Sequence, residues 1–154
     1  MPPSCKWIRI VGHSPAPILE GENWKSGVLG IEAPLPDGYP PPTPAGCIEI
    51  KTYPSVRRAE FDSKNMPPKG INGSSRAFWP LFNHISKRQI PMTSPVEMDY
   101  RDFTGKQGWT MSFLYRNKHL GPVGEAEDTI LVQDRPKVTV ISIGISGDYS
   151  GDTT

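Results

Sequence analysis

The sequence predicts an α+β protein, a distorted antiparallel β-barrel or sheet with one helix packed on it. One stretch has a clear helical period: Phe78, Leu81, Phe82 and Ile85 fall at i, i+3, i+4 and i+7. Much of the chain from residue 47 onward instead alternates with period two, between turns rich in Gly, Pro, Asn and Asp. A single apolar helix must bury its stripe against the apolar face of such a sheet.

Residues 1–46 read as a Pro-rich N-terminal extension ahead of one domain spanning 47–154. Trp7–Val11 and Val28–Ile31 are short strand candidates, and Pro40-Pro41-Pro42-Thr43-Pro44 favours extended polyproline II, suited to a stiff spacer. Beyond Cys47, Ile48, Ile50, Thr52 and Val56 share one parity and Ala59 and Phe61 take the other. An inward face that changes parity requires a bulge or kink near Pro54–Arg57. Asp62–Gly73 is a loop by composition. The helix then begins at Arg76 or Ala77, with Ser74 and Ser75 as N-cap candidates and Pro80 within or just beyond its first turn. After Lys87-Arg88 the period becomes two, predicting a strand from Ile90 to Arg101 whose prolines suit an edge or a kink. Residues 98–101 and 109–116 form a hairpin, and Thr129–Gln133 and Val138–Ile145 are two further strands.

Lys and Arg number 17 against 16 Asp and Glu, so the chain lacks the basic footprint that phosphate binding needs, and no nucleic-acid partner is expected. No apolar run is long enough for a membrane-spanning helix, and the N-terminus lacks the layout of a secretory signal. A cytoplasmic location is the resulting expectation. Cys5 and Cys47 are too far apart for a metal-ligand motif and read as reduced structural thiols.

Taken together, EIKTYPSVRRAEF (49–61), AFWPLFNHI (77–85), IPMTSPV (90–96), WTMSFLY (109–115) and LVQDRPKVTVISIG (131–144) resemble the SOUL/haem-binding protein family. The resemblance covers roughly residues 47–149. It implies a distorted antiparallel barrel of two halves, shared in outline with GyrI-like effector-binding domains. It also implies that haem or another tetrapyrrole binds in a shallow apolar pocket beside the helix and the loop before it. Family members continue past Gly147-Asp148-Tyr149 with a second helix and two closing strands, so the fold's second half is expected to be incomplete here. A longer parent chain, a second copy forming a homodimer through the open sheet edge, or the apolar N-terminal segment could each complete it.

On that reading Met66, Phe78, Leu81 and Phe82 line the pocket, and Arg57 and Arg58 are the candidate partners of haem propionates, with Lys64, Lys69 and Arg116 behind them. His84, on the pocket helix, is a weak axial-ligand candidate, set against a half-exposed surface histidine because it lies off the apolar stripe. His13 and His119 occupy loop contexts, and Met92 and Met111 read as core. Neither a nucleophile elbow nor a phosphate loop nor a zinc-protease motif occurs. An enzyme is therefore the minority reading. The expected function is a haem or tetrapyrrole carrier or buffer. The alternatives are a GyrI-like small-molecule-binding domain or hydrolase, with Glu97 and Asp99 as its carboxylates, and a non-catalytic interaction module.

Overall fold

The computed structural model describes residues 7–13, 18–20, 23–26, 29–30, 33–66, 73–102, 104, 106–127 and 129–145. In chain order the strands are β1 (Trp7–Val11), β2 (Ile18–Glu20), β3 (Asn23–Ser26), β4 (Leu29–Gly30), β5 (Ile48–Tyr53) and β6 (Val56–Asp62). Helix α1 (Gly73–Lys87) follows, then β7 (Val96–Tyr100), β8 (Trp109–Leu114), β9 (Gly124–Glu125), β10 (Ile130–Arg135) and β11 (Val138–Ile143). All described strand pairs are antiparallel, and α1 is the one α-helix among the described residues, so the predicted α+β class holds. The chain divides into two compact units, Val56–Arg135 and the remainder.

In the Val56–Arg135 unit the five strands run in the order β7-β8-β6-β10-β9, an open sheet with β7 on one edge. One face carries Ala59, Phe61, Met111, Phe113, Ile130 and Val132, which pack with Ala77, Leu81 and Ile85 of α1 into the core. The opposite face carries the alternate residues Arg58, Glu60 and Ser112, all buried as well. The helix ends where Gln89 adopts a left-handed φ of 57° and the Ile90 amide donates to the Ile85 carbonyl at 2.8 Å. That six-to-one bond is the usual satisfaction of an orphan helix carbonyl, and it tucks Ile90 into the core.

Three local expectations need correction. Helix α1 starts at Gly73, so Ser74 and Ser75 lie inside it rather than capping it, and Pro80 sits in its interior. The expected long strand from Ile90 narrows to Val96–Tyr100, because residues 90–95, in which Pro91 and Pro95 lack an amide donor, form no ladder. The kink expected near Pro54 is a full break: β5 and β6 belong to different sheets. The predicted hairpin is present, with Val96 opposite Phe113 and Tyr100 opposite Trp109.

In the other unit β5 is central in the order β1-β5-β11, and β2-β3-β4 form a small second sheet. Here the sequence parity inverts. The expected inward residue Ile50 is 37 % exposed, whereas Glu49 and Lys51 are buried. Glu49 is held by the Arg9 guanidinium at 3.1 Å, and the Lys51 ammonium donates to the Pro41 carbonyl. The Pro-rich segment meets one side of β5 and β11: Tyr39 packs at a tilt of 58° against Tyr53, ring centroids 4.8 Å apart, and Thr43 bonds Ser142 at 2.7 Å. A Cβ on Gly12, whose φ is +113°, would lie 2.5 Å from the Cys47 sulfur, so only glycine permits this approach.

Candidate functional site

Helix α1 presents two chemically distinct faces. Ala77, Leu81, His84 and Ile85 are buried, so the buried stripe is turned roughly 60° from the Phe78–Phe82 stripe read from the sequence. The rotation draws His84 inward and leaves Phe82 38 % and Trp79 59 % exposed. Phe78 is the hinge of an aromatic group, with ring centroids 5.1 Å from Phe113, 5.4 Å from Trp79 and 5.9 Å from Phe82. Trp79 and Phe82 meet edge to face at 5.9 Å. The result is an apolar aromatic platform on α1, with Met66 and Phe78 both packed half-buried against the core. Arg76 is exposed three residues before Trp79, and residues that far apart are neighbours on a helix surface.

His84 is buried, 1 % exposed, with both ring nitrogens engaged. Nδ1 lies 3.0 Å from a Glu127 carboxylate oxygen and Nε2 lies 2.7 Å from the Tyr115 hydroxyl. A carboxylate only accepts, so Nδ1 carries the proton, and a neutral imidazole then accepts at Nε2 from Tyr115. Glu127 is held in turn by the Arg88 guanidinium. Burial pushes the Glu127 carboxyl up, but the bonds from Arg88 and His84 outweigh it and bring it down to about 2. Burial raises the Tyr115 phenol above its ordinary range. The expectation of a half-exposed histidine fails because the sheet and the following loop supply this side chain with two partners.

The two arginines are also engaged. Arg57 binds both oxygens of Asp134, at 2.8 and 3.2 Å, and the carbonyls of Lys118 and Gly121. The bond from Arg57 holds the Asp134 carboxyl below its usual range. Arg58, adjacent to the inward Ala59, points to the opposite face of the sheet from α1. There it meets Glu60 at 2.7 Å, Glu97 at 3.0 Å and Asp99 at 2.9 Å. Burial opposes its charge, but the bond and field of Glu60 and the further acids raise its pKa. Glu97, the hydrolase candidate, faces Arg58 and Arg135.

The structure thus groups Phe78, Leu81 and Phe82 on α1, packs Met66 against the same core cluster as Phe78, and places Arg58 on the opposite face of the sheet from that cluster. Lys69 lies outside the described residues. Trp79, Arg76, Tyr115 and Glu127 escaped the sequence reading, although an aromatic on the polar side of an amphipathic helix is a legible signal for Trp79. The polar sheet face and its loops also border a cavity of about 630 Å³, lined among others by Glu60, Asp62, Arg101, Thr110, Glu127 and Gln133. Among the described residues no group of His, Cys, Asp and Glu is arranged to hold a metal ion, and no helix is long and apolar enough to cross a membrane.

A family model described as SOUL heme-binding protein matches residues 43–154. No curated protein and no solved structure matches the chain.

Proposed function

This chain belongs to the SOUL heme-binding protein family, and on that premise we propose that it binds haem or another tetrapyrrole on the aromatic platform of α1 and serves as a carrier or buffer. The observation that supports this reading is the exposed Trp79–Phe82 surface held by Phe78 over buried Leu81. A flat apolar macrocycle suits such a surface, since ring-on-ring contact adds about 0.5–1.5 kcal/mol per pair beyond the area buried. A bound haem supplies a redox-active iron; the chain supplies the apolar seat, with Met66 padding its edge. Arg76 is the propionate partner in this reading, because Arg57 and Arg58 already spend their donors on Asp134 and on Glu60, Glu97 and Asp99. Iron coordination by His84 has no part in it, both ring nitrogens being in use.

A hemin titration followed at the Soret band tests the proposal. Saturable one-to-one binding is expected, weakened at least tenfold in Trp79→Ala and Phe82→Asp and less in Arg76→Glu. Absence of saturable binding to the folded chain, or equal binding by all three variants, would overturn it.

The polar cavity supports a second reading, a GyrI-like small-molecule-binding domain. Glu60 at its wall is oriented by Arg58 and by the Gln133 amide at 2.6 Å. Soret-silent ligands whose affinity falls in Glu60→Gln and Gln133→Ala but not in Trp79→Ala would favour it.

A further inference from the structure

Tyr115 is a buried phenol whose hydrogen-bond acceptor is a base. A backbone carbonyl would satisfy its hydroxyl equally well but could not take its proton, whereas a neutral imidazole nitrogen can. Hydroxyl and His84 Nε2 are 2.7 Å apart, and both residues are 1 % exposed. On the other side of the ring, Nδ1–H of His84 donates to Glu127 at 3.0 Å. Burial opposes the charge on Glu127, yet the bonds from Arg88 and His84 bring its pKa down to about 2, so it is a carboxylate at neutral pH. A positive charge arriving on the imidazole therefore meets a negative one already in place. Burial keeps the phenol itself protonated above its ordinary range.

From this arrangement we infer that Tyr115 is a redox-active residue, a reversible one-electron donor to strong oxidants such as peroxyl radicals, with His84 as its proton acceptor. In the step, one electron leaves the phenol for the oxidant, the O–H bond breaks and an Nε2–H bond forms. The products are a neutral phenoxyl radical, an imidazolium paired with the Glu127 carboxylate, and the peroxyl radical reduced to a hydroperoxide anion, which takes a proton from water. Return of an electron sends the proton back to the oxygen. Oxidation of a buried tyrosine needs such a base, because the phenol radical cation is strongly acidic and an isolated buried charge is costly. The oxidant stays outside. An electron crosses packed side chains, whereas a proton moves only along a hydrogen bond, and that bond is present.

The surroundings suit a radical that persists. Tyr115 and Phe113 both belong to the core cluster, and the Phe113 ring meets Phe78 at 5.1 Å. The loop after β8 closes over the phenol: a Cβ on Gly121 would lie 3.1 Å from the Tyr115 ring and 3.5 Å from its oxygen. Arg57 fastens that loop through the carbonyls of Lys118 and Gly121 and is itself anchored on Asp134. The ring is thereby kept from water and thiols.

Flash photolysis of the whole chain without tetrapyrrole tests the inference. Tris(bipyridine)ruthenium(II) with persulfate supplies the one-electron oxidant, and transient absorption and freeze-quench electron paramagnetic resonance read the radical. A tyrosyl radical is expected that decays at least tenfold more slowly than that of N-acetyltyrosinamide under the same flashes. The long-lived signal should vanish in Tyr115→Phe and fall at least tenfold in His84→Leu, which retains the phenol. Glu127→Gln, which keeps an acceptor for Nδ1–H but not the charge, should lower the yield even if the leucine variant fails to fold; circular dichroism checks each fold. Three outcomes would overturn the inference: radicals confined to other tyrosines or to tryptophans, a long-lived signal that survives in Tyr115→Phe, or a yield unchanged in the folded His84 and Glu127 variants. With no tetrapyrrole present, failure here and failure of the hemin titration are separate results.

Discussion

Tyr115→Phe removes one buried oxygen and leaves the ring in place, so it isolates the role of the buried histidine network. The lost hydroxyl is the hydrogen-bond partner of His84 Nε2, 2.7 Å away, and the imidazole is fully enclosed. Water cannot replace the lost donor without opening the core. The cost is therefore the desolvation penalty of an unsatisfied buried acceptor rather than the net value of one hydrogen bond. That places the loss at about 1–3 kcal/mol, a large share of the stability of a small domain. Urea unfolding at pH 7, followed by circular dichroism and tryptophan fluorescence, reads it directly. The same substitution on a His84→Leu background should cost about 0.5 kcal/mol or less, because no orphaned nitrogen remains. Equal costs on the two backgrounds, or a loss below about 0.5 kcal/mol in the single variant, would refute the proposed network.

Two further predictions concern pH. Glu127, with its folded pKa brought down to about 2, contributes stability that is present above its unfolded value of 4.5 and lost as pH falls from 4.5 towards 2. Its partial exposure limits that contribution to about 1–2 kcal/mol. Glu127→Gln should therefore be less stable than wild type at pH 7, with the gap closing in acid melts by pH 2; a constant gap would count against the assignment. Lys51 has the opposite sense. Burial lowers its ammonium to about 8 despite the nearby Glu49, so between pH 8 and 10.5 the unfolded chain holds more protons and stability rises with pH. Lys51→Met should abolish a rise on the order of 2 kcal/mol over that interval, measured as the difference between the two denaturation series. Parallel curves for wild type and variant would show that Lys51 is not the source.

The residues alone determined the architecture at the level of elements. The period-two runs located β5, β6, β8, β10 and β11, residues 7–11 were legible as a short strand, and Pro54 marked a kink where the structure has a full break. These features are local: a side-chain period or a missing amide acts within a few residues, wherever the chain later packs. The family resemblance was equally local, since its motifs are short contiguous stretches of sequence.

Tertiary structure decided which faces those elements present. The helix stripe gave a direction correct only to within roughly 60°. It was Tyr115 and Glu127, 31 and 43 residues away, that made burial of His84 affordable and turned Phe82 and Trp79 to the surface. The same kind of non-local pairing placed Arg58 among three carboxylates. It also inverted β5, where Arg9 and the Pro41 carbonyl satisfy Glu49 and Lys51 and leave Ile50 facing out. Burying a polar group is unfavourable until its partners are in place. Periodicity shows where an apolar face can lie, but those partners come from distant parts of the chain and decide which face is buried.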